Sequence, residues 1–277
     1  MFLETTDMTQ LFFQALAGLI LLAGATIDLY LCLRVQTRRL VPYLGACTRL
    51  TQGPFTVFHA GLVLSATILF ALPAIFQSHT SGTPKESALI LSPLLYAVMG
   101  LLVTTLCLTY SNVSVSQAFF SRSCTARKAL GKGLFYGLAV IPPVVVLSMT
   151  ITAVTEMLGV EPRLQEVFDW LGDGSLTLGT RMFMMAAAVV IAPVVEELLF
   201  RGILFTAVLK SRPFFPAALL VGLYFALVHF HALSFLPLLV LSIAFSAGYA
   251  STGSILTPIA MHALFNLTSV FFYLADR

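Results

Sequence analysis

The feature that most limits the fold of this chain is a succession of apolar runs long enough to cross a lipid bilayer. About 20 residues at a 1.5 Å rise traverse the hydrocarbon core, where backbone polar groups must be satisfied within the segment, so such runs form helices. They lie at about 9–33, 56–76, 88–110, 134–155, 180–208, 214–230, 233–250 and 256–273. The fifth is long enough to tilt, and the last three follow one another so closely that their bounds are the least sharp. Only 10% of the 277 residues are charged and 58% are hydrophobic, whereas about 25% of a soluble domain is charged. The expected fold class is all-α: one polytopic membrane domain over residues 1–277, with about eight transmembrane helices in a bundle.

The placement of charge orients the bundle. Arg34, Arg38, Arg39 and Arg49 follow the first run, Arg122, Arg127, Lys128 and Lys132 the third, and Lys210 and Arg212 the fifth. The alternate connections hold Lys85 in one case, and Arg163 and Arg181 among several carboxylates in the other. The positive-inside rule therefore puts the first, third and fifth loops in the cytoplasm and both termini outside. The last two loops carry no Lys or Arg, so sequence orients the C-terminal part only by continuity.

Ala23-Gly24-Ala25 resembles a cleavage site, but Glu4 and Asp7 stand where a signal peptide has a basic region. The first run reads as an uncleaved anchor. The four cysteines form no CxxC or Cys/His ligand spacing, so neither a disulfide nor a structural zinc site is expected. Residues 77–86 read as a polar loop. Within 157–179, Leu164, Val167, Phe168 and Leu171 recur at helical spacing opposite Glu161, Glu166 and Asp169, with the sole Trp at 170. That pattern predicts a short helix at the membrane interface.

Against this apolar background, ionisable groups stand out. Glu196 and Glu197 sit inside the fifth run, and a carboxylate at helix-centre depth costs roughly 2.5–3.5 kcal/mol on insertion scales. On a helix, Glu197 faces Arg201 four residues on, while Glu196 points about 100° away. Arg201 can thus neutralise Glu197, leaving Glu196 as a carboxylate without an in-helix cation and a usable proton acceptor. A buried ion-pair network that only fixes packing explains the pair equally well. Pro193, one turn earlier, has no N–H to donate and can admit water or a partner group beside the carboxylates. Phe225 and His229 share a helix face, as do His262 and Asn266, and His231 is expected to point away from His229 as an ordinary interfacial residue.

Taken in order, Glu-Glu-x-x-x-Arg (Glu196, Glu197, Arg201), Phe-x-x-x-His (Phe225, His229) and His-x-x-x-Asn (His262, Asn266) resemble the CPBP family. These are the CAAX prenyl proteases of type II, or Ras-converting enzymes, and their bacterial self-immunity relatives. Ala192-Pro193, Leu198–Gly202 and Thr252–Pro258 agree with that resemblance, which covers about residues 130–273; the first three runs share only hydrophobicity. The resemblance implies an intramembrane endopeptidase, a helix bundle with a water-filled catalytic cavity. In it, the residues matching Glu196 and His229 activate water and those matching His262 and Asn266 form the oxyanion hole. Glu197, Arg201 and Phe225 support them.

This assignment suits the chemistry. Amide hydrolysis needs a base for water, an acid for the leaving amine and donors for the oxyanion. No serine or cysteine joins the set in a nucleophile motif, which argues against covalent catalysis. No cofactor is expected; the alternative is a zinc ion held by Glu196, His229 and His262, though none of the three is paired at the i,i+3 or i,i+4 spacing that commonly preorganises zinc on one helix. The expected partners are the bilayer and a membrane-embedded or lipid-modified peptide, with no nucleic acid. Oligomeric state is left open, and the plasma membrane of a prokaryote is the expected location. Two other functions use the same buried groups: a transporter or proton relay, and a non-catalytic immunity or binding protein.

Overall fold

A computed structural model describes residues 8–36, 47–77, 85–161, 170–172 and 174–275. Among these the chain is helical and has no strands. The long helices are α1 (Met8–Gln36), α2 (Val57–Gln77), α3 (Glu86–Ser111), α4 (Ala126–Met157), α5 (Leu178–Leu209), α6 (Phe214–Leu227), α7 (Phe235–Thr252) and α8 (Leu256–Ala275). One-turn helices at Cys47–Thr51 and Val115–Phe119 sit in connections. The polytopic all-α expectation holds. The count of eight full crossings is approximate: six helices are long and apolar enough, while Val57–Ala71 and Phe214–Leu227 give shorter apolar stretches. The 14 residues of α6 reach about 21 Å at 1.5 Å per residue, short of a hydrocarbon core of about 30 Å. Residues 162–169 and 173 of the expected interfacial helix within 157–179 lie outside the described residues. Trp170 and Leu171 are helical, with Leu171 buried against Met184 and Leu89.

Two groups of helices meet at the site. On one side α4 packs against α1, α7 and α8; on the other α5 packs against α2, α3 and α6, and α7 and α8 also touch α5. Close approach at two points depends on glycine. A Cβ on Gly100 of α3 would overlap Val195, the residue before Glu196. One on Gly137 of α4 would press within 3.2 Å of the Met261 Cα, beside His262. Both substitutions would push apart helices that carry site residues.

The bundle has two distinct ends. At one, Arg49 donates to Gly253 O at 3.2 Å and to Phe120 O, and Ile255 N donates to Phe119 O at 2.9 Å. These bonds join the α1–α2, α3–α4 and α7–α8 connections. At the other, Thr177 N donates to Glu86 Oε1 at 2.7 Å and Gln14 Nε2 to Ala275 O at 3.2 Å. A small apolar cluster of Leu89, Leu171 and Met184, with Tyr273 against it, closes that second end.

Candidate active site

The site is built around a break in α5. Its helix is α over Leu178–Ala186, π over Ala187–Ile191, α over Ala192–Glu197 and π again over Leu198–Phe205. π turns are rare and concentrate at functional sites. In the first of them Ala192 N–H reaches Ala187 O. Ala188 O, next in that register, would take its bond from residue 193, but Pro193 has no N–H. Asn266 Nδ2 supplies the missing donor at 2.7 Å. The partner group that Pro193 leaves room for is thus a side chain of α8, and Asn266 ties α8 to the π turn that precedes the glutamates.

Glu197 and Arg201 are fully buried, with side-chain exposure of 0% for each. Glu197 Oε1 accepts from Arg201 Nη1 at 2.9 Å and from His262 Nδ1 at 2.9 Å. Arg201 Nη2 donates to Ser242 Oγ at 2.7 Å and Ser242 O at 3.3 Å. Its guanidinium lies 4.6 Å from the ring centre of Phe225 and 5.1 Å from that of Phe245. Cation–π contacts and charge-assisted hydrogen bonds offset the cost of removing Arg201 from water. Ser242 and Phe245, both on α7, were not singled out by the sequence: a lone serine or phenylalanine in an apolar run carries no signal. The 242/246 serine pair is the nearest hint, since Ser246 Oγ donates to Ser242 O. Ser242→Ala should lower unfolding stability by about 1.5–3 kcal/mol, the value of a hydrogen bond to a charged group. Thermal melting in detergent checks this.

Glu196 is different. Its side chain is 13% exposed, its Oε2 has no hydrogen-bond partner among the described residues, and it faces a cavity of about 400 Å³. The nearest basic atom is His262 Nε2, 3.9 Å from Oε2. His262 stacks on Phe245 with ring centres 5.0 Å apart. Its Nδ1 donates to Glu197 Oε1, the same oxygen that accepts from Arg201. Nε2 is therefore the nitrogen left to exchange protons with the cavity.

His229 and Asn266 line the same cavity. His229 Nδ1 bonds Phe225 O at 2.6 Å, and since a carbonyl only accepts, Nδ1 is protonated and the neutral ring has its lone pair on Nε2. The expectation for His231 is corrected: it does not point away but lines the cavity with His229. α6 ends at Leu227, and Phe230 takes the left-handed region at φ 49°. Helical arithmetic beyond Leu227 therefore fails, and the turn brings both imidazoles to one side. Positive φ is strained for a bulky residue, and such strain is concentrated at functional loops. The cavity lining also includes Ser148 and Thr152 of α4 and Ser269 of α8.

The structure thus gathers Glu196, Phe225, His229, His262 and Asn266 around one cavity, with Glu197 and Arg201 packed behind it. Among the described residues no group of three His, Cys, Asp or Glu side chains is arranged to hold a metal ion. As placed, the alternative ligand set of Glu196, His229 and His262 does not form one.

The fold and site define a multi-pass membrane protein with an internal cavity lined by the Glu196 carboxylate and the imidazoles of His229, His231 and His262. Residues 178–268 match the family model described as type II CAAX prenyl endopeptidase Rce1-like, so the family resemblance of the motifs is shown over that segment. Those residues run from the first turn of α5 to the middle of α8 and contain every motif residue. A Bacillus subtilis (strain 168) protein named "Putative membrane peptidase YdiL" is 31% identical over 83 residues. The alignment covers 30% of this chain and 34% of that protein, so the chain spans about a third of the relative's length. No solved structure matches.

Proposed function

We propose that the protein is an intramembrane endopeptidase of CAAX-protease type that hydrolyses a peptide bond with a glutamate-activated water. The observation that carries this is Glu196, a cavity-facing carboxylate with an oxygen free of hydrogen bonds, beside two imidazoles whose Nε2 atoms remain available. In this reading Glu196 takes a proton from water, and the hydroxide attacks the scissile carbonyl. His262 Nε2–H and the second Nδ2–H of Asn266 donate to the oxyanion. For His262 this requires the imidazolium, which the Glu197 carboxylate at Nδ1 stabilises. The proton on Glu196 then passes, directly or through His229 Nε2, to the leaving amine as the C–N bond breaks. A bilayer-embedded or lipid-modified peptide is the substrate class, and the plasma membrane of a prokaryote the location; the Bacillus subtilis protein named "Putative membrane peptidase YdiL" supports only a peptidase seated in a membrane.

No step in this scheme runs through a metal. Activity should survive prolonged treatment with a chelator that reaches the cavity, with elemental analysis of active protein showing no stoichiometric zinc. Zinc-dependent loss and recovery would reassign Glu196, His229 and His262 as ligands. The test of the activity is cleavage of membrane peptides in ¹⁸O-labelled water. One label in the new C-terminus is expected with wild-type protein. Proton or solute flux through proteoliposomes without any cleavage would favour a transporter instead.

Asn266 has two duties here, and they are separable. Asn266→Ala should lower kcat about 10²-fold through loss of an oxyanion donor, and lower stability by about 1–3 kcal/mol because Ala188 O loses its partner. Pro193→Ala restores a backbone N–H near that carbonyl. In the double variant the melting loss should shrink while the kcat loss persists. Recovery of both together would remove Asn266 from the oxyanion hole.

A further inference from the structure

We infer that the catalytic cavity opens on the non-cytoplasmic face of the membrane, so that its substrates are the membrane-proximal, non-cytoplasmic segments of membrane-anchored polypeptides. The inference rests on the peptidase reading above and adds the side from which substrate arrives. Three independent observations meet in it.

The first is the basic end of the bundle. The Arg and Lys residues that follow α1 and α3 flank the connections that Arg49 and Ile255 tie together, and the last turn of α5, just before Lys210 and Arg212, packs against Cys47–Thr51 at the same end. Those bonds include Gly253, so the α7–α8 connection, which has no Lys or Arg of its own, lies at this same end. Sequence alone leaves that connection unassigned. The second is the acidic end. Glu86, Glu156 and Glu161 lie at or beyond the ends of α3 and α4 that face the other way, where Lys85 and Arg181 are the described basic residues, and Glu86 is bonded to the start of α5. Lys and Arg collect on the cytoplasmic side, so the basic end is cytoplasmic and the acidic end is not.

The third is the direction of the cavity. From Glu196 and His262 within the bundle it runs to His231 and Ser234 in the α6–α7 connection. Its wall also includes Leu171, from the α4–α5 connection, which belongs to the apolar cluster at the acidic end. None of its lining residues comes from the α1–α2, α3–α4 or α7–α8 connections. A prenylated C-terminus is made in the cytosol and enters the cytoplasmic leaflet, at the opposite end of the bundle. The geometry thus assigns a substrate anchored by a peptide span, or by a lipid in the outer leaflet, whose scissile bond descends to the depth of Glu196.

The test uses the full chain with its native cysteines replaced by alanine and one new cysteine at each end, Ala232→Cys beside the cavity mouth or Ser123→Cys at the basic end. Both positions are exposed. In right-side-out membrane vesicles, a membrane-impermeant maleimide should label Ala232→Cys at once and Ser123→Cys only after permeabilisation. The reverse pattern overturns the inference. An epitope tag before α1 in an otherwise unaltered chain reports the same orientation without touching the cysteines: antibody should reach it from outside right-side-out vesicles, and reaching it only from inside-out vesicles also overturns the inference. A second measurement compares peptide termini in membranes carrying wild-type protein and the Glu196→Gln variant. New termini on the non-cytoplasmic flank of membrane spans support the substrate class, and new termini on the cytoplasmic flank sink it. If labelling is as expected and wild-type and variant membranes yield the same termini, the peptidase reading fails while the orientation stands.

Discussion

Glu196→Gln should abolish turnover, at least about 10³-fold in kcat, while leaving the fold and the melting temperature essentially unchanged. A general base is typically worth about 10²–10⁴-fold, and no other described carboxylate faces the cavity to replace it: Glu197 is sealed behind it by Arg201 and His262. The amide keeps the size of the carboxylate and removes only its charge. Because Glu196 Oε2 makes no hydrogen bond, the substitution breaks none there, and it relieves repulsion from adjacent Glu197. Melting in detergent alongside ¹⁸O-coupled product release reads both sides of the claim. A variant that unfolds would make Glu196 structural, and one that keeps its turnover would move the base elsewhere.

That division between a free and a paired glutamate was legible in the sequence because it rests on a local rule, the i,i+4 facing of Glu197 and Arg201. The apolar runs were legible for a similar reason: hydrocarbon thickness fixes helix length, and the bounds of α3 and α8 fall within about three residues of the expected ones. What the sequence did not disclose depends on contacts between distant helices or on departures from ideal helix geometry. The second role of Glu197, bonding His262 of α8, joins residues 65 apart in the chain. Ser242 and Phe245 enclose Arg201 only because α7 crosses α5 at that level. His231 was misplaced because periodicity was carried past the true end of α6. The two π turns are equally hidden, although Pro193 marks where the ladder must fail; which side chain fills the gap follows only from the packing of α8.

Glu197→Gln is expected to be the most destabilising conservative change in the site, by about 3–5 kcal/mol, with activity lost as well. Removing one partner of a buried pair leaves the other charge uncompensated, and Arg201 is fully buried with Ser242 and two aromatic rings as its remaining company. The catalytic loss has a separate origin: without the carboxylate at Nδ1, the His262 imidazolium loses its stabilising anion. A second substitution separates the two effects. In Glu197→Gln/Arg201→Met the stranded charge is gone, and buried ion pairs replaced together by apolar groups of similar volume are often neutral in stability. The double variant should therefore regain most of the melting temperature lost in Glu197→Gln, yet remain inactive because His262 still lacks its anion. Equal melting of single and double variants would show that Arg201 is not the source of the instability. Recovered turnover in the double variant would show that Glu197 serves only to hold Arg201, and would return His262 to a role that needs no partner at Nδ1.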